Sequence, residues 1–286
     1  VLACGMQLET ALRRRPAADG RPHGSLIDDR CKTAFDFLAA QQTPPDPRCG
    51  YSLLPTVGHV TAYAWCQSLQ AYFGWAAAAT ADTDPGFSAR MVAAWQRGGR
   101  FVIPLHDYHQ GRIWSPPLCL LDPGLPAADA DHRGSRAFDG FGAVLRAPHP
   151  EGSEGYVALK LGECTGHFDN DEGSFVWYAF GRPLLADFGC QYNPNFHAHP
   201  WLHNRISIDH RADGPPRGGR LLQLRSESGL DYLCGELWVR SLYRETEWPS
   251  RERDFDHRQT SQPPHPITPH CWRRHLLYLH DLEVIA

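Results

Sequence analysis

The period of the hydrophobic pattern changes part-way along this chain, and that change constrains the fold more than any other feature. In the first third, apolar residues recur every three or four positions; beyond residue 135 they recur every two. A helix and a strand cannot bury the same register of side chains, so the sequence divides into a helical part and a sheet part. Its 286 residues are enough for two ordinary domains.

Four segments of the first part read as helices. LACGMQLETALRRR (2–15) consists of good helix formers and ends at Pro16. DDRCKTAFDFLAAQQ (28–42) places Phe35 and Leu38 on one side and stops before Pro44 and Pro45. HVTAYAWCQSLQAYFGWAAAAT (59–80) carries Tyr63, Leu69, Tyr72 and Phe73 near helical spacing. The fourth is the clearest: Asp84 suits the N-cap, Pro85 the first turn and Gly98 the stop, with Phe87, Met91 and Trp95 on one face. Residues 1–115 therefore read as paired helices of an all-α layer.

Residues 116–135 are rich in Pro, Gly and Asp and read as a linker. Beyond them FGAVLRA (141–147), GYVALKLG (155–162), SFVWYAF (174–180), RISID (205–209), RLLQLR (220–225), ELWVRSLY (236–243) and RRHLLYLH (273–280) alternate as strands do. Strands without intervening helices predict an antiparallel β-sandwich over residues 136–286, with 244–270 as a long excursion. The expected fold class is α+β, multidomain.

A formal charge of −4 argues against nucleic acid as the main partner, though a local basic groove for an acidic sugar remains compatible with it. The most apolar run, 71–81, is too short to span a membrane. Nine cysteines without a CxxC pair do not read as a zinc ribbon or a full disulfide framework, and leave room for one or two disulfides. Val1 is no initiator, no signal-peptide pattern opens the chain, and the end lies inside an apolar run. The expectation is a piece of a longer protein.

The chemistry concentrates in CTGHFDNDEGSFVWYAFGRPLLADFGCQYNPNFHAHPWLHNRISIDH, Cys164 to His210. Extended, this chain points His167, Asp169 and Asp171 to one side. A hairpin through Gly181 can return Asp187 beside Asp169, and His203 opens the next strand. Asp169, Asp187 and His203 can then converge on one cation, and mixed N and O ligation suits zinc, or manganese if carboxylates dominate. Hydrogen-bonded strand ends without metal are the competing reading. Tyr192 is a candidate proton donor, with loop packing as the alternative. His199 and Arg205 are candidate substrate contacts, His199 from a loop and Arg205 as a bidentate partner for carboxylate or sulfate; Asn204 lies between the metal-candidate His203 and Arg205.

GHFDNDEGSF, followed by GRPLLADFG and HNRISID, resembles the heparinase II/III-like polysaccharide lyases, in which an HxHxDxxSF strand, a D-x-G strand end and an HN strand follow in that order. FDGFGAVLRA and EGYVALKLGE resemble the strands before them, and YSLLPTVG the last turns of the family's helical toroid. The likeness covers roughly residues 50–280. It implies an (α/α) toroid followed by a β-sandwich, acting in the periplasm or as a secreted protein on an acidic polysaccharide. The implied reaction is β-elimination at a uronic acid: the carboxylate is neutralised, a His or Tyr removes the C5 proton, and O4 is protonated as it leaves. The resemblance gives His167 the active-cleft role and gives Asp187 and His203 metal roles, the ion being zinc, manganese or calcium. Asp169 stands where the family has its second His, so the metal set holds two carboxylates and one imidazole. The toroid's catalytic residues would lie before Val1. A non-catalytic carbohydrate-binding sandwich and a uronate C5-epimerase are the alternatives.

Overall fold

The computed structural model describes residues 27–58, 67–101, 105–107, 112–114, 124–128, 134–149, 153–162, 171–187, 202–209, 211, 213–214, 218–242 and 265–286. The chain forms two units. One lies within Val1–Pro45, Cys49–Leu54 and Tyr63–His132, and the other within Asp46–Arg48, Pro55–Ala62 and Arg133–Ala286.

The first unit holds α1 (Asp29–Gln41), a 3-10 turn (Ser68–Gln70), α2 (Ala71–Thr80) and α3 (Pro85–Arg97). Asp28 caps α1 by accepting from the Cys31 amide, and Asp84 caps α3 by accepting from the Phe87 amide at 3.0 Å. Nearly every residue of α2 is buried, as a helix apolar on all sides must be. Its Phe73 meets Phe35 of α1, which in turn meets Phe87 of α3, with centroids 6.3 and 6.4 Å apart. Below this apolar cluster, Gln42 bonds Gln70 and the Ala94 carbonyl. These buried amides satisfy one another and the end of α3.

The expected (α/α) toroid is not what the described residues form. They contain three short helices, and most of their regular structure is β-sheet. Two physical causes are visible. Pro44, Pro45, Pro47 and Pro55 interrupt any helix after α1, and two-residue strands, β1 (Pro45–Asp46) and β2 (Tyr51–Ser52), take its place. After α3 the chain turns extended, into the paired strands β3 (Leu105–Asp107) and β4 (Arg112–Trp114). Of the 59–80 helix, Gln67 and Ala71–Thr80 are α-helical with a 3-10 turn at Ser68–Gln70 between them; 59–66, like 2–15, lies outside the described residues.

The second unit is built from antiparallel sheets. One has the order β5 (Arg136–Phe138), β6 (Gly142–Pro148), β7 (Glu154–Lys160), β8 (Phe175–Ala179) and β9 (Arg182–Leu185). The other runs β10 (Gly219–Glu227), β11 (Leu230–Leu242), β12 (His265–Leu279) and β13 (Val284–Ile285). Alternation sorts the five-stranded sheet into two apolar faces. Leu145, Val157, Leu159 and Leu161 pack against Leu233, Leu237, Leu276 and Tyr278 of the other sheet. On the opposite face Val144, Tyr156, Val176 and Tyr178 gather with Val57. The two sheets approach closely at Gly155, where a Cβ would lie 1.4 Å from the Tyr278 hydroxyl oxygen.

Two strand expectations need correction. Among the described residues, 205–209 form no strand: a bend at Arg205 and an irregular stretch lead to an isolated bridge from Ile208 to Arg211 and a left-handed Asp209. The excursion expected to run to residue 270 ends sooner, because β12 already begins at His265 and pairs along most of β11. In both cases long-range pairing, which a single strand's pattern does not encode, decides the outcome.

Leu159 is fully buried between the sheets, so Leu159→Ala should cost about 2–5 kcal/mol by chemical denaturation. A loss below about 1 kcal/mol would contradict this packing. Glu236 on β11 provides a pH test. Its bonds to Arg273, Trp238 and Arg220 hold its carboxyl down to about 2, from an ordinary 4.5. The stabilisation is therefore complete above pH ~4.5 and is lost as pH falls toward ~2. Melting curves across that window should show the gap between wild type and Glu236→Gln closing with acid; a constant gap would contradict it.

Candidate functional site

Three of the motif segments meet at the end of the five-stranded sheet. The first contributes the turn Asp171–Ser174, closed by the Ser174 amide donating to the Asp171 carbonyl at 2.8 Å. Gly173 occupies its left-handed position, at φ +84°, and a Cβ there would come within 2.2 Å of the Trp272 ring. Glycine satisfies both demands. The second segment follows β9 to Asp187, and the third carries His203 and Asn204.

Asp187 joins them. The Ser174 hydroxyl donates to its Oδ2 at 2.7 Å, and His203 Nδ1 lies 2.8 Å from Oδ1 and 3.0 Å from Oδ2. A carboxylate only accepts, so Nδ1 carries the proton. The side chains of Asp187 and His203 are 0% and 1% exposed. Asn204 completes the junction: its amide donates to Ser174 Oγ, and its side chain donates to the carbonyls of Phe175 and Ala186. The Thr56 hydroxyl donates to the Asp187 carbonyl at 2.7 Å, tying segment 55–58 to the same point.

Beside this junction lies a buried charge network. Lys160, at the end of β7, reaches Asp171 at 2.5 Å and Glu172 at 3.4 Å. The Gly58 amide donates to the other Asp171 oxygen. Arg205 pairs with Asp213 and, at 3.8 Å, with Glu172. Arg274 donates to the carbonyls of Gly173 and Asn204 and lies over the Phe175 and Trp272 rings. Burial, then the neighbouring Arg205 guanidinium, pushes Arg274 down to about 10, so it remains a cation at neutral pH. Lys160 and Arg205 thus face Asp171, Glu172 and Asp213, while Arg274 is received by carbonyls and rings. Pairing of this kind is what makes buried charges tolerable.

Among the expected site residues, Asp187, His203, Asn204 and Arg205 come together here, while His167, Asp169, Tyr192 and His199 lie outside the described residues. Asn204 and Arg205 are engaged within the protein, the first with backbone carbonyls and the second with carboxylates. Sequence reasoning missed Lys160, Glu172, Ser174, Asp213 and Arg274. Lys160 carried a signal, since a lysine inside the apolar run VALKLG needs a buried anion or an exposed position. Arg274 had none, because its partners are backbone carbonyls distant in sequence.

The implied metal can be weighed against this geometry. Asp187 and His203 offer the oxygen and nitrogen donors that zinc takes, side by side and buried, so the donor chemistry fits. Nδ1 is committed to Asp187, so an ion would take the imidazole through Nε2, with Asp187 orienting the ring. Among the described residues no group of three or more His, Cys, Asp or Glu gathers to hold a metal.

No family model matches the sequence. No curated protein matches it either. Among solved structures, the chain is similar to one described as a heparinase III gene product with methylated lysines, at 12% identity and a TM-score of 0.48. The alignment covers 97% of this chain and 39% of that one, so the chain spans about two-fifths of that protein's length.

Removing the Lys160 ammonium would leave Asp171 and Glu172 buried beside each other without their shared cation. Lys160→Met should therefore destabilise the protein by about 3–5 kcal/mol in denaturant titrations. A change under about 1 kcal/mol would mean that the carboxylates find another partner or are neutral.

Proposed function

We propose that this protein acts as a polysaccharide lyase on a uronic-acid-containing polymer, cleaving it by β-elimination. The observation that carries the reading is the convergence on Asp187. Ser174, Asp187 and His203 come from the three ordered motifs that resemble the heparinase II/III-like lyases, and they bond directly to one another. A resemblance spread over three sequence segments gains weight when those segments form one junction in space.

In this reading the junction positions and the neighbouring residues react. Asp187 fixes the His203 ring, and Ser174 and Asn204 lock together the three segments that meet there. His167 removes the C5 proton of the uronate, and Tyr192 delivers a proton to O4 as the C4–O4 bond breaks, leaving a C4–C5 double bond. His199 contacts the substrate. Arg205 and Asn204 are themselves held by Asp213, Glu172 and the carbonyls of Phe175 and Ala186. Asp169 and His203, the latter through Nε2, would hold a divalent ion (zinc, or manganese or calcium), with Asp187 orienting the imidazole. A polymer of this class lies outside the cell, which assigns the protein to the periplasm or to secretion.

A second reading is favoured by one observation. Asp187, His203 and Ser174 are almost wholly buried, as in a structural latch, which fits a carbohydrate-binding sandwich without turnover. Ultraviolet absorbance of the conjugated C4–C5 product, read on alginate, heparin and chondroitin sulfate, separates the two. The lyase reading predicts absorbance growth on at least one polymer and a loss of about a hundredfold or more in His167→Ala. Saturable binding with no unsaturated product on any of the three would overturn it in favour of the binding module.

A further inference from the structure

The four-stranded sheet has a second face, and its chemistry differs from that of the first. Side chains alternate along β12, so Trp272, Arg274, Leu276 and Tyr278 point toward the other sheet while Cys271, Arg273 and His275 point away. The same rule puts Glu236, Trp238 and Arg240 of β11, and Arg220 and Arg225 of β10, on this outer face. Register places Arg220, Glu236 and Arg273 side by side across three strands.

Glu236 organises that row. Arg273 Nε donates to its Oε2 at 2.8 Å, while Arg220 and Trp238 Nε1 donate to Oε1 at 3.0 and 3.1 Å. The carboxylate is 1% exposed beneath them, yet the two arginines stay 72% and 57% exposed. Trp238 is 43% exposed. One buried anion thus holds two guanidiniums and an indole in fixed positions, with their outer surfaces toward solvent. Arg225 and Arg240 are also exposed. Against these four cations the outward acids of the three strands are Glu236 and, at the hairpin end, Glu227. The patch is positive on a chain whose formal charge is −4.

We propose that this outer face is a docking surface for an anionic polysaccharide, separate from the candidate site on the inner side of the sheet. The arginine forks match carboxylate or sulfate groups, and the exposed indole offers a flat apolar surface to a sugar ring. Because Glu236 prepays the ordering of Arg220, Arg273 and Trp238, binding costs little side-chain entropy. The choice of polymer rests on the lyase reading; the surface rests on its own geometry.

The test is binding of the full chain to immobilised heparin and alginate, measured over a series of salt concentrations. Arg225→Gln/Arg240→Gln leaves Glu236 its partners and so preserves the fold, and Arg220→Gln is added as a third change. The triple variant should bind about tenfold or more weakly, with a flatter salt dependence, while Arg225→Gln/Arg240→Gln alone should keep the melting temperature of wild type. Neutral dextran should not bind. Equal affinity of wild type and triple variant would overturn the proposal, as would tighter binding of a single-stranded oligonucleotide than of either polysaccharide. Arginine-dependent binding without any unsaturated product would sink the lyase reading and leave this surface standing.

Discussion

A carboxylate without water must find its donors within the protein, and Asp187 finds them in segments that are distant in sequence. Its side chain is 0% exposed, so leaving it unpaired would cost far more than a surface contact ever returns. Ser174 and His203 are the donors, and each brings a chain segment with it. Ser174 brings the turn after Lys160, and His203 brings Asn204 and its bonds to Phe175 and Ala186. The strand-end architecture of the second unit therefore follows from satisfying one buried anion.

The neighbouring charges extend the same logic. Lys160 is tolerated at the end of a buried strand because Asp171 and Glu172 meet it there. Arg274 is tolerated between Phe175 and Trp272 because two carbonyls receive it. On the reverse side of the same sheet, Arg273 is organised by Glu236 and left open to solvent. Two adjacent arginines on one strand thus serve opposite faces, one bracing a junction and the other presenting charge. Strand alternation alone accounts for the division.

Much of the sandwich was legible because its strands alternate. The limits of β6, β7, β8 and β10 fall within a few residues of the expected runs, and α3 begins at the Asp84 cap and ends at Gly98 as its signals require. That the described residues form no toroid was not legible, since a helical period in 59–80 says nothing about how many helices surround it. The strand expected at 205–209 failed for a related reason. RISID alternates like a strand, but Arg205 turns inward to Asp213 and Glu172, and among the described residues its backbone makes one isolated bridge, from Ile208 to Arg211. At the site, the residue types were visible and their pairing was not. Asp187 and His203 read as two metal ligands, whereas the geometry joins them directly, a distinction that only coordinates supply.

The account rests on Asp187 and His203 acting as one unit inside the sandwich, and a double-mutant cycle measures that coupling directly. Unfolding free energies of wild type, Asp187→Ala, His203→Ala and the double variant should give a coupling of about 1–3 kcal/mol, because each single change strands the other buried group. Additive effects within about 0.3 kcal/mol would show that the two side chains do not depend on each other, and the junction would lose its physical basis.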